Sequence, residues 1–149
     1  MLALLLTAWL TAAEATTVLP LSFDEVEARA SVIIVATITR ATPWRDAGGL
    51  IRTDLELSDV RRVGGPGPAP TRLTFTGGEI GRIGVRVHGM PAWEIGGRAV
   101  FFVEGDGRTT ACPTVGWGQG YLPLDAADRL RHPRPGLRTL DDVRARVSE

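Results

Sequence analysis

Along residues 50–63, LIRTDLELSDVRRV, apolar and polar side chains alternate. Ile51, Thr53, Leu55 and Leu57 fall on one side, and Arg52, Asp54, Glu56 and Ser58 on the other. A period of two predicts a β-strand with one wet face. The phase slips near Asp59, since Val60 and Val63 no longer fit, which predicts a bulge or bend. Residues 71–76, TRLTFT, alternate again through Leu73 and Phe75. Residues 31–40, SVIIVATITR, are β-branched and almost continuously apolar, the pattern of a central strand covered on both faces. GRAVFFVEG, residues 97–105, reads as a second buried strand. Between these runs, residues 41–49 (ATPWRDAGG) read as a turn-rich connection and residues 64–70 (GGPGPAP) as a loop. Asp106-Gly107 predicts a tight hairpin turn, with residues 109–124 as a glycine-interrupted partner strand.

Helical patterns sit near the ends. Ser22 is an N-cap with Glu25 three residues on, a capping box, and Leu21 and Val26 are placed for a hydrophobic staple. A short helix over 23–30 follows, with Phe23, Val26 and Ala30 on its core face. Residues 125–131 read as a single helical turn, broken by HPRPG at 132–136. Thr139, with Asp142 three residues later, caps a last helix whose apolar face is Leu140, Val143 and Val147. Five or six short strands with small helices near the termini predict a mainly β protein. A small closed or nearly closed OB-like barrel avoids open hydrophobic edges; a β-sandwich is the alternative.

Composition changes this picture little. With 149 residues, the chain can bury a core without a disulfide or metal. The formal net charge is +0, which argues against nucleic acid as a partner. All 17 basic residues are arginine. The N-terminus adds more. Residues 2–10 (LALLLTAWL) form an apolar run too short to span a bilayer, followed by Ala13-Glu14-Ala15, the small-x-small pattern of a cleavage site. The expectation is a signal peptide over 1–15 and a single exported β-barrel domain with a C-terminal helix over 16–149. It would be periplasmic or extracellular, with no membrane span after cleavage. Cys112 is the lone cysteine, so no internal disulfide is possible.

The segment most suggestive of chemistry is TGGEIGRIGVRVHGMP, residues 76–91. A phosphate loop needs glycines that open a helix, and the Walker form needs a lysine. Here the glycines run G-x-x-G-x-x-G, and Val85-Arg86-Val87 alternates like a strand. The reading is therefore a bend between strands, with glycine supplying positive φ and close approach. His88, His132 and Cys112 are not at metal-ligand spacing, so no metal and no cofactor is expected. Cys112 with His88 could form a nucleophile pair, but a lone cysteine in a strand is more simply a small buried hydrophobe. No G-x-S-x-G elbow occurs, Glu25/Glu27 and Asp141/Asp142 read as solvated helix charges, and no catalytic residue is assigned. Clustered aromatics point instead to a partner-binding surface made of Gly78, Arg82, Arg86, Met90, Pro91, Trp93, Trp117, Gln119 and Tyr121. The plainer alternative is that Trp93 and Trp117 close the ends of the barrel.

Four stretches taken together carry a resemblance: LSFDEVEARASVIIVATITR, RTDLELSDVRRV, TGGEIGRIGVRVHGMPAWEIGGRAVFFVE and VGWGQGYLPL. Over residues 18–124 the chain resembles a family of uncharacterised exported bacterial β-rich domains, some of which stand before matrixin-like metalloproteases. The resemblance implies an exported, non-enzymatic interaction module that binds a protein or envelope component. It implies, as the alternative, a pro-domain-like or inhibitory partner of a secreted metalloprotease. The H-E-x-x-H of the protease itself is missing. More loosely, the chain is similar to the OB-fold of tissue inhibitors of metalloproteinases. Those inhibitors act through an N-terminal cysteine, whereas the expected mature end here is Thr16-Thr17-Val18. Only the fold suggestion carries over.

Overall fold

The computed structural model describes residues 19–147. The expected signal peptide, residues 1–15, lies outside them. The chain runs through α1 (Phe23–Arg29), β1 (Val32–Arg45), β2 (Ile51–Gly64), β3 (Arg72–Thr76), β4 (Gly78–Ile80), β5 (Ile83–Val85), β6 (Arg98–Val103), β7 (Tyr121–Leu124), β8 (Arg129–Arg134), β9 (Leu137–Thr139) and α2 (Leu140–Val147). A 3₁₀ turn, Trp117–Gly120, precedes β7.

The caps form as the sequence predicts. The Glu25 N–H donates to Ser22 Oγ at 3.3 Å, and the Ser22 N–H donates back to Glu25 Oε2 at 2.8 Å. These bonds satisfy donors that the first turn of α1 would leave unpaired, and they hold the Glu25 carboxyl below its usual range. At α2, the Asp142 N–H donates to Thr139 Oγ1, while the Asp142 carboxylate accepts from the Arg138 and Thr139 N–H groups. Val26 and Val143 are fully buried on the core-facing sides of the two helices.

Seven strands form one antiparallel sheet in the order β3-β2-β1-β6-β7-β8-β9, and β4 and β5 pair separately. The first half of strand β1, residues 32–38, is buried on both faces, as its continuous apolar run requires. Ile34, Ala36 and Ile38 meet Leu55, Leu73, Phe75 and Phe101 in one core cluster. Ile33 and Val35 meet Val26, Val100, Phe102, Leu122, Leu140 and Val143 in another. Burying each such Ile, Leu or Phe contributes about 1.5–3 kcal/mol. The phase slip at Asp59 is a bulge. Val35 pairs with Arg61 and Thr37 with Ser58, and Asp59 takes φ +50°.

Several expectations are corrected. Residues 41–45 are not a connection but the end of β1, because Thr42 through Arg45 pair with Asp54 through Ile51. Pro43 is tolerated there because the β6 pairing of β1 stops at Thr37, which leaves that side of β1 as an edge. The turn tightens instead at Asp46, whose carboxylate accepts the Gly48 and Leu50 N–H groups. Asp106-Gly107 does not close a tight hairpin. Residues 104–116 wander, returning to β6 through the Val103–Thr114 bridge and the Val115 N–H bond to the Phe102 carbonyl, and the expected long partner strand shrinks to β7. Residues 125–131 are not helical: the Asp125 carboxylate caps Ala127 and Arg129 in a turn, Asp128 takes φ +57°, and β8 follows. The 132–136 stretch then continues β8 and turns at Gly136, φ +76°, into β9. These additions make seven strands in the main sheet rather than five or six. Among the described residues no strand pairing joins β3 to β9, so the sheet is not a closed barrel, and its companion sheet has only two strands rather than a sandwich layer.

Candidate partner-binding surface

The glycine segment is a hairpin. Gly78 pairs with Val85 and Ile80 with Ile83 around a two-residue turn, Gly81-Arg82. Gly81 sits at φ +61°, the sign that the first central position of a type II′ turn requires. No helix follows, so no helix dipole faces an anion here. The hairpin is pinned to β2 at its base. The Gly77 N–H donates to the Ile51 carbonyl at 2.8 Å, and buried Thr53 Oγ1 donates to the Gly77 carbonyl at 2.7 Å. A Cβ at Gly78 would sit 2.3 Å from Thr53 Oγ1, so glycine is required by closeness as well as by φ +133°.

Between this hairpin and residues 86–93 lies a groove of 400 Å³. Of the residues expected at a partner surface, Gly78, Arg86, Met90, Pro91 and Trp93 line it. Thr76 also lines it, and its Oγ1 is buried with no hydrogen-bond partner among the described residues. Arg82 stands outside at the turn, exposed beside Ile83, which is 56% exposed.

The remaining expected residues are placed elsewhere. Trp117 and Gln119 line a second groove of 540 Å³, together with Leu19, Leu21, Glu104 and Cys112. Tyr121 lines a third, smaller hollow with Trp93, Arg131 and His132. One backbone bond, Gly118 N–H to the Gly89 carbonyl at 2.8 Å, ties the first two regions together. The expected continuous aromatic patch is therefore not formed. Trp93 packs on Phe75 with ring centroids 4.8 Å apart, and Tyr121 on Phe101 at 5.4 Å. Met90 and Trp117 are partly buried against the same core. The aromatics close the end of that core and leave Arg82, Ile83 and Arg86 as the exposed part.

Gln119 has a role that its sequence position hides. Its Oε1 accepts the Leu21 N–H at 2.6 Å, and its Nε2 donates to the Leu19 carbonyl at 3.0 Å. One side chain thus clamps the main chain of the N-terminal arm at alternate residues. Gly116, at φ +59°, makes room, since a Cβ there would lie 2.7 Å from Leu21 Cδ1. Trp117 also takes positive φ, +62°, unusual for a bulky side chain and worth about 1–2 kcal/mol of strain. Thr114 holds it there, its hydroxyl donating to the Trp117 carbonyl and its carbonyl accepting the Trp117 N–H. The only sequence signal was G-x-x-Q-G itself, which names no target for the glutamine.

Cys112 is 7% exposed, with Sγ 3.3 Å from Thr114 Oγ1. Burial pushes its thiol up, against the smaller lowering by Thr114 hydrogen bonds. It lines the second groove and His88 the first, so the two are not brought together as a pair. Burial likewise pushes the Tyr121 phenol up, reinforced by Glu94 and opposed by Arg131. Among the described residues, no group of three or more His, Cys, Asp or Glu side chains is placed to hold a metal ion. Nor is any described helix long and apolar enough to cross a membrane. Comparison of the chain with protein-family models, with curated proteins and with solved structures finds no match.

Proposed function

We propose that the protein is an exported, non-enzymatic binding module of the bacterial cell envelope or secreted fraction. It is built on an OB-like, nearly closed barrel, and its contact surface is the β4–β5 hairpin with the adjoining groove. The observation that carries the reading is this hairpin. It stands off the main sheet, is pinned by Thr53 at its base, and exposes Ile83 between Arg82 and Arg86. A half-apolar, half-cationic tip on a rigid base is what a protein contact needs. The buried, unpartnered Thr76 Oγ1 beside the groove adds to it, because an unmet polar group is costly unless something else is gained.

The barrel element of the reading is supported by the loop after β6. Its Gly107 and Ala111 carbonyls accept the Thr74 and Thr76 N–H groups on the outer edge of β3. The Val115 N–H then returns to the Phe102 carbonyl on β6. This irregular segment bridges the two ends of the β3-β2-β1-β6 run, as a fifth strand would in a small barrel.

The test is capture from the periplasmic and secreted fractions of the producing cell by the immobilised chain, with Ile83→Asp alongside. Wild type is expected to retain a specific protein that Ile83→Asp loses. Equal capture by both, or none by either, overturns the reading. Trp93→Ala is a poorer probe, since it also removes packing on Phe75.

A further inference from the structure

We propose that the outer edge of β5 is a docking strand for an extended acidic segment of a partner protein, added antiparallel as one more strand. The proposal rests on the binding-module reading and supplies the chemistry of the partner. In a two-residue hairpin the pair flanking the turn, here Ile80 and Ile83, exchanges both backbone bonds. The next pair that does so is Gly78 and Val85, so Gly84 and Arg86 turn their N–H and C=O groups away from β4. No other strand pairs β5 among the described residues, which leaves these groups as an open edge. Such edges are templates for strand addition. Gly84 carries no side chain to obstruct an incoming strand, and the nearest atoms to a Cβ built there lie 3.9 Å away.

Charge selects the occupant. Arg82 and Arg86 are exposed on either side of Gly84, and among the described residues neither has an ion-pair or hydrogen-bond partner. His88 continues the same exposed row, and Arg86 and His88 border the groove that half-buried Val85 and Val87 also line. Among the described residues, none that lines the groove carries a carboxylate. Glu79, opposite Gly84 on β4, is the one acidic side chain of the hairpin. A second copy of the chain is a poor occupant, because antiparallel self-pairing about Gly84 sets Arg82 against Arg86, like charges face to face. A strand alternating acidic and apolar residues satisfies both sides. Its carboxylates meet Arg82 and Arg86, and its apolar side chains enter the groove beside Val85, Val87 and Met90.

The probe is a short fluorescent peptide alternating Glu and Val, titrated against the whole chain, with a Lys–Val peptide and a version N-methylated at alternate amides as comparators. The Glu–Val peptide is expected to bind with amide NMR shifts centred on Gly84 and Arg86. The double variant Arg82→Glu with Arg86→Glu should lose affinity on the order of tenfold and transfer it to the Lys–Val peptide. The N-methylated peptide should not bind, because it cannot complete the strand ladder. Equal binding of the N-methylated peptide reduces the contact to charge alone and overturns strand addition. No binding of the Glu–Val peptide overturns the proposal outright. Capture of a cellular partner that survives the double arginine variant leaves the binding module standing with this edge excluded, so the two readings fail separately.

Discussion

At Gly81 and Gly84 glycine sits at the open end of the β4–β5 hairpin, whereas at Gly118 and Gly120 it lets main chains come into contact. Gly81 takes φ +61° with no atom near the place of a Cβ, and the nearest to Gly84 is 3.9 Å away. Gly120 is the reverse. A Cβ there would lie 2.7 Å from the Val115 carbonyl oxygen, 2.8 Å from the Val115 nitrogen and 3.1 Å from the Phe102 carbonyl oxygen. Gly118 would approach the Gly89 carbonyl at 3.0 Å. The hairpin turn at Gly81 uses glycine for the sign of φ, whereas Gly118 and Gly120 use it for its missing volume. The first can therefore present an exposed turn on a fixed base, while the second is part of the packing that holds the N-terminal arm, the 3₁₀ turn and β6 together.

The sharpest way to break this contrast is Gly120→Ala. Its neighbours are backbone atoms, which cannot step aside as a side-chain tip can. The variant should lose about 3 kcal/mol of unfolding free energy, the upper end of the usual range for overpacked buried positions. Urea denaturation measures this directly. A loss comparable to that of Gly81→Ala would erase the distinction between the two segments.

Next in size is Gln119→Ala. It removes both bonds to the arm, together about 1–3 kcal/mol at the usual net value for each. Cys112 reports the consequence, since its thiol is buried and shares a groove wall with Leu19 and Leu21. Releasing the arm should speed its reaction with a thiol reagent under native conditions. Gln119→Glu keeps an acceptor for the Leu21 N–H but loses the donor to the Leu19 carbonyl, and should fall between. An unchanged labelling rate in Gln119→Ala would show that the clamp does not control access to this groove.

The contrast also explains how much was legible in the sequence. The two capping boxes, the doubly buried β1 and the bulge at Asp59 follow from local spacing, and local spacing is what a sequence displays. The hairpin at 78–85 was readable as a bend because Val85-Arg86-Val87 alternates and no helix pattern follows. What failed was non-local. Residues 41–45 look like a turn until Asp54 through Ile51 pair with them, and residues 129–139 look broken by proline until Leu124 pairs with Leu130. In the proposed surface, Arg82 and Arg86 are residues the sequence suggests beside its glycines, while Ile83 is not, because its exposure depends on how the hairpin sits on the sheet. Apolar residues between glycines carry no period to show which way they face, and Phe75 and Phe101 draw Trp93 and Tyr121 in.

A smaller effect is expected for Gly81→Ala. The position offers space but demands left-handed backbone, so the cost is about 1 kcal/mol. Gly81→Asn should cost less, since asparagine tolerates that region best after glycine. A thermal melt of the three proteins gives the order Gly, Asn, Ala; the reverse order would mean that the turn is not held at positive φ.

The smallest effect separates the hairpin from the loop that covers β3. Asp106 accepts the Arg108 and Thr109 N–H groups and the Thr109 hydroxyl, and these bonds hold its carboxyl down to about 2. A depressed folded value means a contribution present above the ordinary aspartate value, about 3.9, and lost as pH falls through the folded one. The same loop supplies the Gly107 and Ala111 carbonyls to Thr74 and Thr76. Hydrogen-exchange protection of those two amides should therefore weaken as the medium is acidified toward about pH 2, after allowance for the intrinsic exchange rate. The Val85 amide, bonded within a hairpin that contains no such carboxylate anchor, should not follow. Asp106→Asn keeps an acceptor but cannot titrate, so it should flatten the dependence at Thr74 and Thr76. Persistence of the same acid response in that variant would place its origin in another carboxylate of the sheet, and Asp54, which accepts the Thr74 hydroxyl, is the next to exchange for asparagine.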